Sequence, residues 1–226
     1  MMAMRRRGFL WSLGCSALLA GCNFPSNLYF LMPEAKEPAE CKKLAAEDHK
    51  KEVKAVVWTY MLLDPRPEFI QADRTLAGML ADEIRRLSEE NHEKVTLIKP
   101  SLVEAYKSRH PDWQSMDAEK VGQYFNADYV LNLEITKLML FQPDAHEALF
   151  RGTAQIQVTV VDMKHPEDTH RKTFSDQYPN QMFSGMDQFD VTPEVFREQF
   201  LRHVARRLAF YFVDHPKRSR VMPSDE

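Results

Sequence analysis

The chain has 226 residues and carries 30 lysines and arginines against 33 aspartates and glutamates. This length allows one domain, or two at most, with ample chain to bury a core. A composition of 28% charged and 44% hydrophobic residues is typical of a globular protein. The balance of charge excludes a generic nucleic-acid binder, which needs a clustered basic surplus.

The first 21 residues have the parts of a bacterial lipoprotein signal peptide. A positive segment comes first and consists of Arg5, Arg6 and Arg7. The apolar stretch 9–19 follows, and it is too short to cross a bilayer, which needs about 20 apolar residues. It leads into four residues that resemble the lipobox, namely Leu19, Ala20, Gly21 and Cys22. The resemblance implies that residues 1–21 are removed and that Cys22 is lipidated, which anchors the chain in a membrane.

Other interpretations of this segment stay open. A plain secretory signal, or an apolar N-terminus with a chance cysteine, would leave the chain without a lipid. Residues 6–10, RRGFL, also resemble the core of a twin-arginine export signal, and the general secretion route explains the arginines equally well. Asn23 directly after the cysteine favours the outer membrane over the inner one, so we expect a lipid-anchored periplasmic domain. Loss of residues 1–21 removes three arginines and no acid, which lowers the net charge from −3 to −6.

Residues 22–52 are predicted to be the lipidated anchor and a tether. Turn-forming residues at 23–27, together with Pro33 and Pro38, argue against regular structure. The apolar run 28–32 is predicted either to add an edge strand to the domain or to lie on the membrane. Cys15 leaves with the signal and Cys22 is lipidated, so Cys41 remains alone and no internal disulfide is expected.

Residues 53–215 are predicted to form an α/β domain, and residues 216–226 a disordered tail. Apolar patterns predict strands at 53–63, 95–99, 129–141, 150–161 and 170–174. They predict helices at 73–90, 100–106, 117–125 and 192–215. This order favours a two-layer sandwich with a mixed sheet of about five strands, helices mainly on one face, and an amphipathic C-terminal helix. Clean alternation in the third and fourth strands indicates that the other sheet face stays partly open.

The motifs argue against catalysis. The mature chain has only four glycines, which form no Walker loop or dinucleotide-binding turn: Gly78, Gly122, Gly152 and Gly185. His146-Glu147 begins like a zinc-protease motif, but Phe150 occupies the place of the second histidine. His165 and His170 with the acids between them suggest a small metal site, although a solvated hairpin turn is the favoured interpretation. We therefore expect no catalytic, cofactor-binding or metal-binding residues.

The segment 176–190 is the strongest candidate for partner contact, because it is a long connection without periodicity. Its polar residues are interleaved with Tyr178, Met182, Phe183, Met186 and Phe189. The alternative is a loop that folds over the sheet and buries these side chains in a satellite core. A second candidate is the basic face of the last helix, for which a solvated surface is the favoured interpretation. That face comprises Arg197, Arg202, His203, Arg206 and Arg207.

A recurring order of short motifs precedes the final amphipathic helix. The motifs are Lys54-Ala55-Val56-Val57, Val95-Thr96-Leu97-Ile98, Pro100-Ser101-Leu102 and Ala127-Asp128-Tyr129-Val130-Leu131. They resemble the α/β domain of bacterial envelope lipoproteins related to the TolB amino-terminal domain, the curli-secretion lipoprotein and penicillin-binding-protein activators. The lipobox followed by residues 28–31, LYFL, also resembles the auxiliary lipoproteins of ABC-type transporters. The first resemblance implies protein–protein interaction rather than catalysis.

We therefore expect a non-enzymatic, membrane-anchored periplasmic lipoprotein that acts as a protein-interaction module of the cell envelope. It would dock through the open sheet face or the segment 176–190. The main alternative is an auxiliary lipoprotein of an ABC-type or lipid-trafficking transporter, which predicts an apolar groove. An enzyme with a dispersed site is the third and weakest hypothesis.

Overall fold

A computed structural model describes residues 35–46, 48, 51–61, 66–142, 149–179, 186–187 and 191–217. Residues 36–215 form one compact unit, and residues 1–35 with 216–226 form another, of which Ala35, Pro216 and Lys217 are described. Within the described ranges, no helix has both the length and the apolar character that a membrane span requires.

The strands are β1 (Lys36–Glu37), β2 (Val53–Met61), β3 (Val95–Leu97), β4 (Tyr129–Phe141), β5 (Leu149–Asp162), β6 (His170–Tyr178), β7 (Met186–Asp187) and β8 (His215–Pro216). The α-helices are α1 (Ala72–Glu90), α2 (Pro100–Lys107), α3 (Ala118–Phe125) and α4 (Pro193–Ala209). Two single turns of 3-10 helix cover Pro67–Phe69 and Trp113–Ser115.

The main sheet is mixed, with the strand order β3-β2-β4-β5-β6. Strand β2 is parallel to both β3 and β4, while β4, β5 and β6 are antiparallel. Strand β7 pairs with the first residues of β5. The predicted α/β sandwich around a mixed five-stranded path is confirmed.

The larger core lies between one sheet face and the helices α1 and α4. Alternate residues of the central strand β4, such as Leu131, Leu133 and Ile135, point into it. Apolar side chains at helical spacing cover them from α1 and α4, with Phe200 among those fully buried. Thr192 begins α4 as predicted, because its side chain accepts a hydrogen bond from the N–H of Val195 and Pro193 occupies the first turn.

Among the described residues, helices cover the opposite sheet face over its parallel half. Helices α2 and α3 bury a smaller core there, around Val56, Trp58 and Tyr106. The outward side chains of β4, β5 and β6 beyond this core form what we call the open sheet face. Exposed residues such as Gln157 and Thr173 populate it, as the alternating pattern predicted.

The segment 39–44 is fixed to the end of α4. The backbone N–H groups of Glu40, Cys41, Lys42 and Leu44 donate to carbonyls of residues 210–212. The Leu44 side chain is 0% exposed in the main core. Part of the segment that the sequence assigned to a tether therefore contributes to the packed unit.

Candidate functional site

The residues predicted for export and lipidation cannot be located in this structure. Arg5, Arg6, Arg7 and the tetrad Leu19, Ala20, Gly21 and Cys22 lie outside the described residues. Of the predicted partner-contact residues, Met182, Phe183 and Phe189 also lie outside them. Met186 belongs to β7 and stands opposite Phe150 of β5. Tyr178 alone among the five has a described side chain.

Tyr178 is the last residue of β6 and is half-buried against the main core. Its ring centroid lies 5.8 Å from that of Phe196 and 4.9 Å from that of His203, both on α4. The strand continues four residues beyond the predicted end at Phe174, because β6 pairs with β5 as far as Gly152. The start of the predicted contact segment is therefore part of the sheet.

Beside Tyr178, a carboxylate joins β6 to the basic face of α4. Asp176 Oδ2 lies 3.1 Å from His203 Nε2 and accepts a hydrogen bond of 3.1 Å from Arg207 Nε. Burial alone would raise the pKa of Asp176, but the hydrogen bond and charge of His203, the charge of Arg207 and the N–H of Gln177 outweigh it. They hold the pKa of Asp176 below its ordinary value. This cluster fixes α4 to the sheet.

The other basic groups of α4 also have partners. Arg202 pairs with Glu198 at 2.7 Å, and Arg206 reaches Glu83 of α1 at 3.7 Å. Arg197 donates to the backbone carbonyl of Glu68 at 3.0 Å. Arg202 and Arg206 are solvated, as the favoured interpretation of the sequence predicted. His203 and Arg207 are not, because both are largely buried in contact with Asp176.

An apolar groove lies between the N-terminal parts of α1 and α4. Its volume is about 390 Å³, and apolar lining comes from Ile70, Ala72, Met79, Val195 and Leu201. Polar groups at its rim come from Gln71, Thr75, Glu194, Arg197 and Glu198. We call this feature the α1–α4 groove. It combines an apolar floor with a polar rim, which is the composition of many ligand and partner sites.

Two aliphatic side chains stand out from the groove into solvent. Ile70 is 60% exposed and Val195 is 47% exposed, although both are large hydrophobic residues. Ile70 lies two residues before the first residue of α1, and Gln71 between them has a left-handed backbone with φ 63°. Val195 lies on α4 one position before Phe196, which faces the core. Val195, an apolar residue outside the apolar stripe of α4, is the feature of the sequence that indicates this groove.

A buried lysine lies on the other side of the sheet. Lys107 Nζ donates to the carbonyl of Thr59 at 2.7 Å and to Glu104 at 2.8 Å. It also stands over the rings of Trp58 and Trp113, at 5.1 and 4.7 Å from their centroids. The Lys107 ammonium therefore binds only groups of the protein in these contacts, and they hold α2 against the end of β2.

The candidate metal residues are not gathered into a site. His165 is exposed and lies 3.6 Å from Glu167. Within the described parts of the chain, no three histidine, cysteine, aspartate or glutamate side chains stand in a position to hold a metal ion together.

Comparison with known proteins gives weak structural similarities only. No protein-family model and no curated protein matches the chain. Among solved structures, the PelC dodecamer from Paraburkholderia phytofirmans is 9% identical, with a TM-score of 0.43, covering 79% of this chain and 98% of that one. Lipoprotein GNA1162 from Neisseria meningitidis is 16% identical, with a TM-score of 0.41, covering 70% and 98%. Protein XCC0632 from Xanthomonas campestris is 11% identical, with a TM-score of 0.40, covering 77% and 92%.

Similarities at this level carry no argument about function or partners. They also give no support to the finer resemblance to the TolB, curli-secretion and penicillin-binding-protein-activator types, which stays a prediction from the sequence.

Proposed function

We propose that the chain is a non-enzymatic lipoprotein of the cell envelope, anchored through Cys22, whose α/β domain binds another envelope protein. The lipobox and the preceding signal support the anchor. The α1–α4 groove supports the binding role and replaces the segment 176–190 as its main candidate surface. No nucleic acid enters this proposal, because the chain has a net negative charge.

The exposure of Ile70 and Val195 carries the proposal. Burying a large aliphatic side chain contributes about 1.5–3 kcal/mol, so two such residues beside an apolar floor can anchor a partner. A lipid anchor would raise the effective concentration of the domain near membrane-bound partners, so contacts that are weak in solution suffice.

A matched pair of variants tests this role. Ile70→Asp with Val195→Asp places charge in the groove, whereas Leu102→Asp changes a residue that is 54% exposed on α2, on the other face of the sheet. After cross-linking in intact envelopes, the wild type and Leu102→Asp should retain the same partner band, and the groove variant should lose it. Loss of that band in Leu102→Asp, or its retention in the groove variant, contradicts the proposal.

The groove also favours a second role, as an accessory lipoprotein of an ABC-type or lipid-trafficking transporter. Its volume of about 390 Å³ falls within the range of small-molecule sites, about 300–1,000 Å³. Native mass spectrometry of the detergent-solubilised chain distinguishes the two roles. A bound lipid that is lost in the Ile70→Asp, Val195→Asp variant supports the transport role, and a lipid-free mass favours the protein-binding role.

A further inference from the structure

A histidine side chain is buried at the place where the chain enters the packed unit. His215 is 1% exposed, although it is the last residue of the unit 36–215. Its imidazole stacks on the ring of Phe210, with the two centroids 4.1 Å apart and the ring planes at 7°. The side chain of Glu37, in the first described strand β1, reaches the same ring. The histidine therefore joins the beginning of the unit to its end.

Both ring nitrogens of His215 face hydrogen-bond acceptors. Nδ1 lies 3.3 Å from the carbonyl oxygen of Val213, and Nε2 lies 3.7 Å from Oε2 of Glu37. A neutral imidazole has one N–H and one lone pair, so it can donate to only one of these two groups. Nε2 is buried and has no hydrogen-bond partner within the described residues. An imidazolium donates from both nitrogens, so the charged ring alone matches both acceptors.

The other charged groups of the neighbouring elements have partners of their own. The carboxylate of Asp214 binds Lys43 Nζ, which also pairs with Glu93 after α1 at 2.7 Å. Lys36 Nζ donates to the side chain of Asn91 at the end of α1. In the described part of the chain, the carboxylate within ion-pair distance of the ring is that of Glu37. Its side chain is 45% exposed, so it can rotate to shorten the contact.

We infer that His215 and Glu37 form a proton-dependent clasp at the entry of the chain into the domain. The charged ring binds Glu37, and its position over the Phe210 ring also favours the charge. Burial disfavours that charge, and these contacts offset the penalty. Loss of the proton leaves two lone pairs facing each other at Nε2, so Glu37 is released.

Release of Glu37 changes where the chain is first attached to the domain. The next attachment is the backbone N–H of Ala39, which donates to Asp214 Oδ1 at 3.1 Å. Opening of the clasp therefore frees residues 36–38 and moves the first attachment by about 10 Å of extended chain. The clasp is closed in acid and opens as the pH rises through the range in which histidine titrates, about pH 5–8.

This inference goes beyond the proposed function and does not rest on it. The clasp lies beside the C-terminal end of α1, where Asn91 donates to the carbonyl of Asp214 at 2.7 Å. The α1–α4 groove lies at the N-terminal parts of its two helices. A change at one place leaves the other intact, so the two proposals fail separately.

Hydrogen exchange of the full-length chain in detergent tests the clasp, by mass spectrometry at pH 5.5 and 7.5. Overlapping peptic fragments separate the amides of residues 36–38 from those of residues 40–44. The test variant is Glu37→Gln, whose amide can donate to the neutral ring and accept from the charged one. The matched control is Glu40→Gln, which removes a carboxylate of the same segment that lies 3.5 Å from Lys172.

Exchange is corrected for its intrinsic dependence on pH. Protection of residues 36–38 should then be about fivefold or more higher at pH 5.5 than at pH 7.5, in the wild type and in Glu40→Gln. In Glu37→Gln the two values should differ by less than about twofold. Equal protection at the two pH values in the wild type, or lower protection in acid, overturns the inference. A pH response that Glu37→Gln retains, or that Glu40→Gln loses, overturns it as well.

Discussion

A single methyl group at Gly152 tests the packing of α4 on the sheet. The Cβ of an alanine there would stand 2.3 Å from Cδ2 of Phe200 and 2.6 Å from two further ring carbons. Favourable carbon contacts are at about 3.5–4.0 Å, so the ring must move by about 1 Å or more. Phe200 is fully buried, so its ring can move only by displacing the side chains packed around it.

The expected cost follows from this overlap. Overpacking of a buried site destabilises the fold by about 1–3 kcal/mol. Replacing glycine also lowers the conformational entropy of the unfolded chain, which stabilises the fold by about 0.4–1 kcal/mol. The central values, about 2 kcal/mol for overpacking and about 0.7 kcal/mol for glycine freedom, leave a net loss of about 1.3 kcal/mol in the free energy of unfolding of Gly152→Ala and lower its Tm by about 3–5 °C. Gly78→Ala is the control, because no heavy atom lies within 4 Å of a Cβ at that position in α1. It should stabilise by about 0.5–1 kcal/mol.

Urea and thermal unfolding, followed by circular dichroism, measure both changes. A double variant adds Phe200→Leu, which removes the ring, so the alanine at residue 152 should then cost much less than it does alone. A Gly152→Ala protein as stable as the wild type would refute this packing. So would an alanine cost that is the same with and without the Phe200 ring.

Two further predictions concern contacts that are distant in sequence. Asp176→Asn should destabilise the fold by about 1–3 kcal/mol at pH 7, since its side chain is 11% exposed and leaves His203 and Arg207 without a carboxylate. Because the pKa of Asp176 is lowered in the fold, its stabilisation is present above about pH 4, the unfolded value, and disappears as the pH falls through the folded value. Unfolding from pH 2.5 to 7 should show the two proteins converging in acid, and a pH-independent gap would contradict this. Leu44→Ala should cost about 2–4 kcal/mol by urea unfolding, whereas a loose tether at that position would give no measurable change.

The sequence predicted those elements whose residues repeat with a clear period. Strands β4 and β5 alternate over most of their length, apart from two register shifts between them, and Thr192-Pro193 is a strong helix start. The two strands and the start of α4 were therefore predicted within a residue or two. The end of β6 was missed because Ser175, Asp176 and Gln177 have low strand propensity, and it is the pairing with β5 that holds these residues extended.

The candidate surfaces were harder to predict because they depend on tertiary contacts. Asp176 and Arg207 are 31 positions apart, and nothing in their spacing indicates that they meet. The α1–α4 groove joins residues near 70 with residues near 195. The one indication of it in the sequence is that Val195, an apolar residue, lies outside the apolar stripe of its helix. The open sheet face was predictable, since period-2 alternation assigns its side chains directly.

The intact mass and membrane partition of the expressed chain test the lipid anchor most directly. The native protein should lose residues 1–21, gain the mass of acyl chains on Cys22 and sediment with membranes. Cys22→Ala should lose both the added mass and the membrane association. A chain that keeps residues 1–21, carries no acyl mass and stays in the supernatant would contradict the account at its centre.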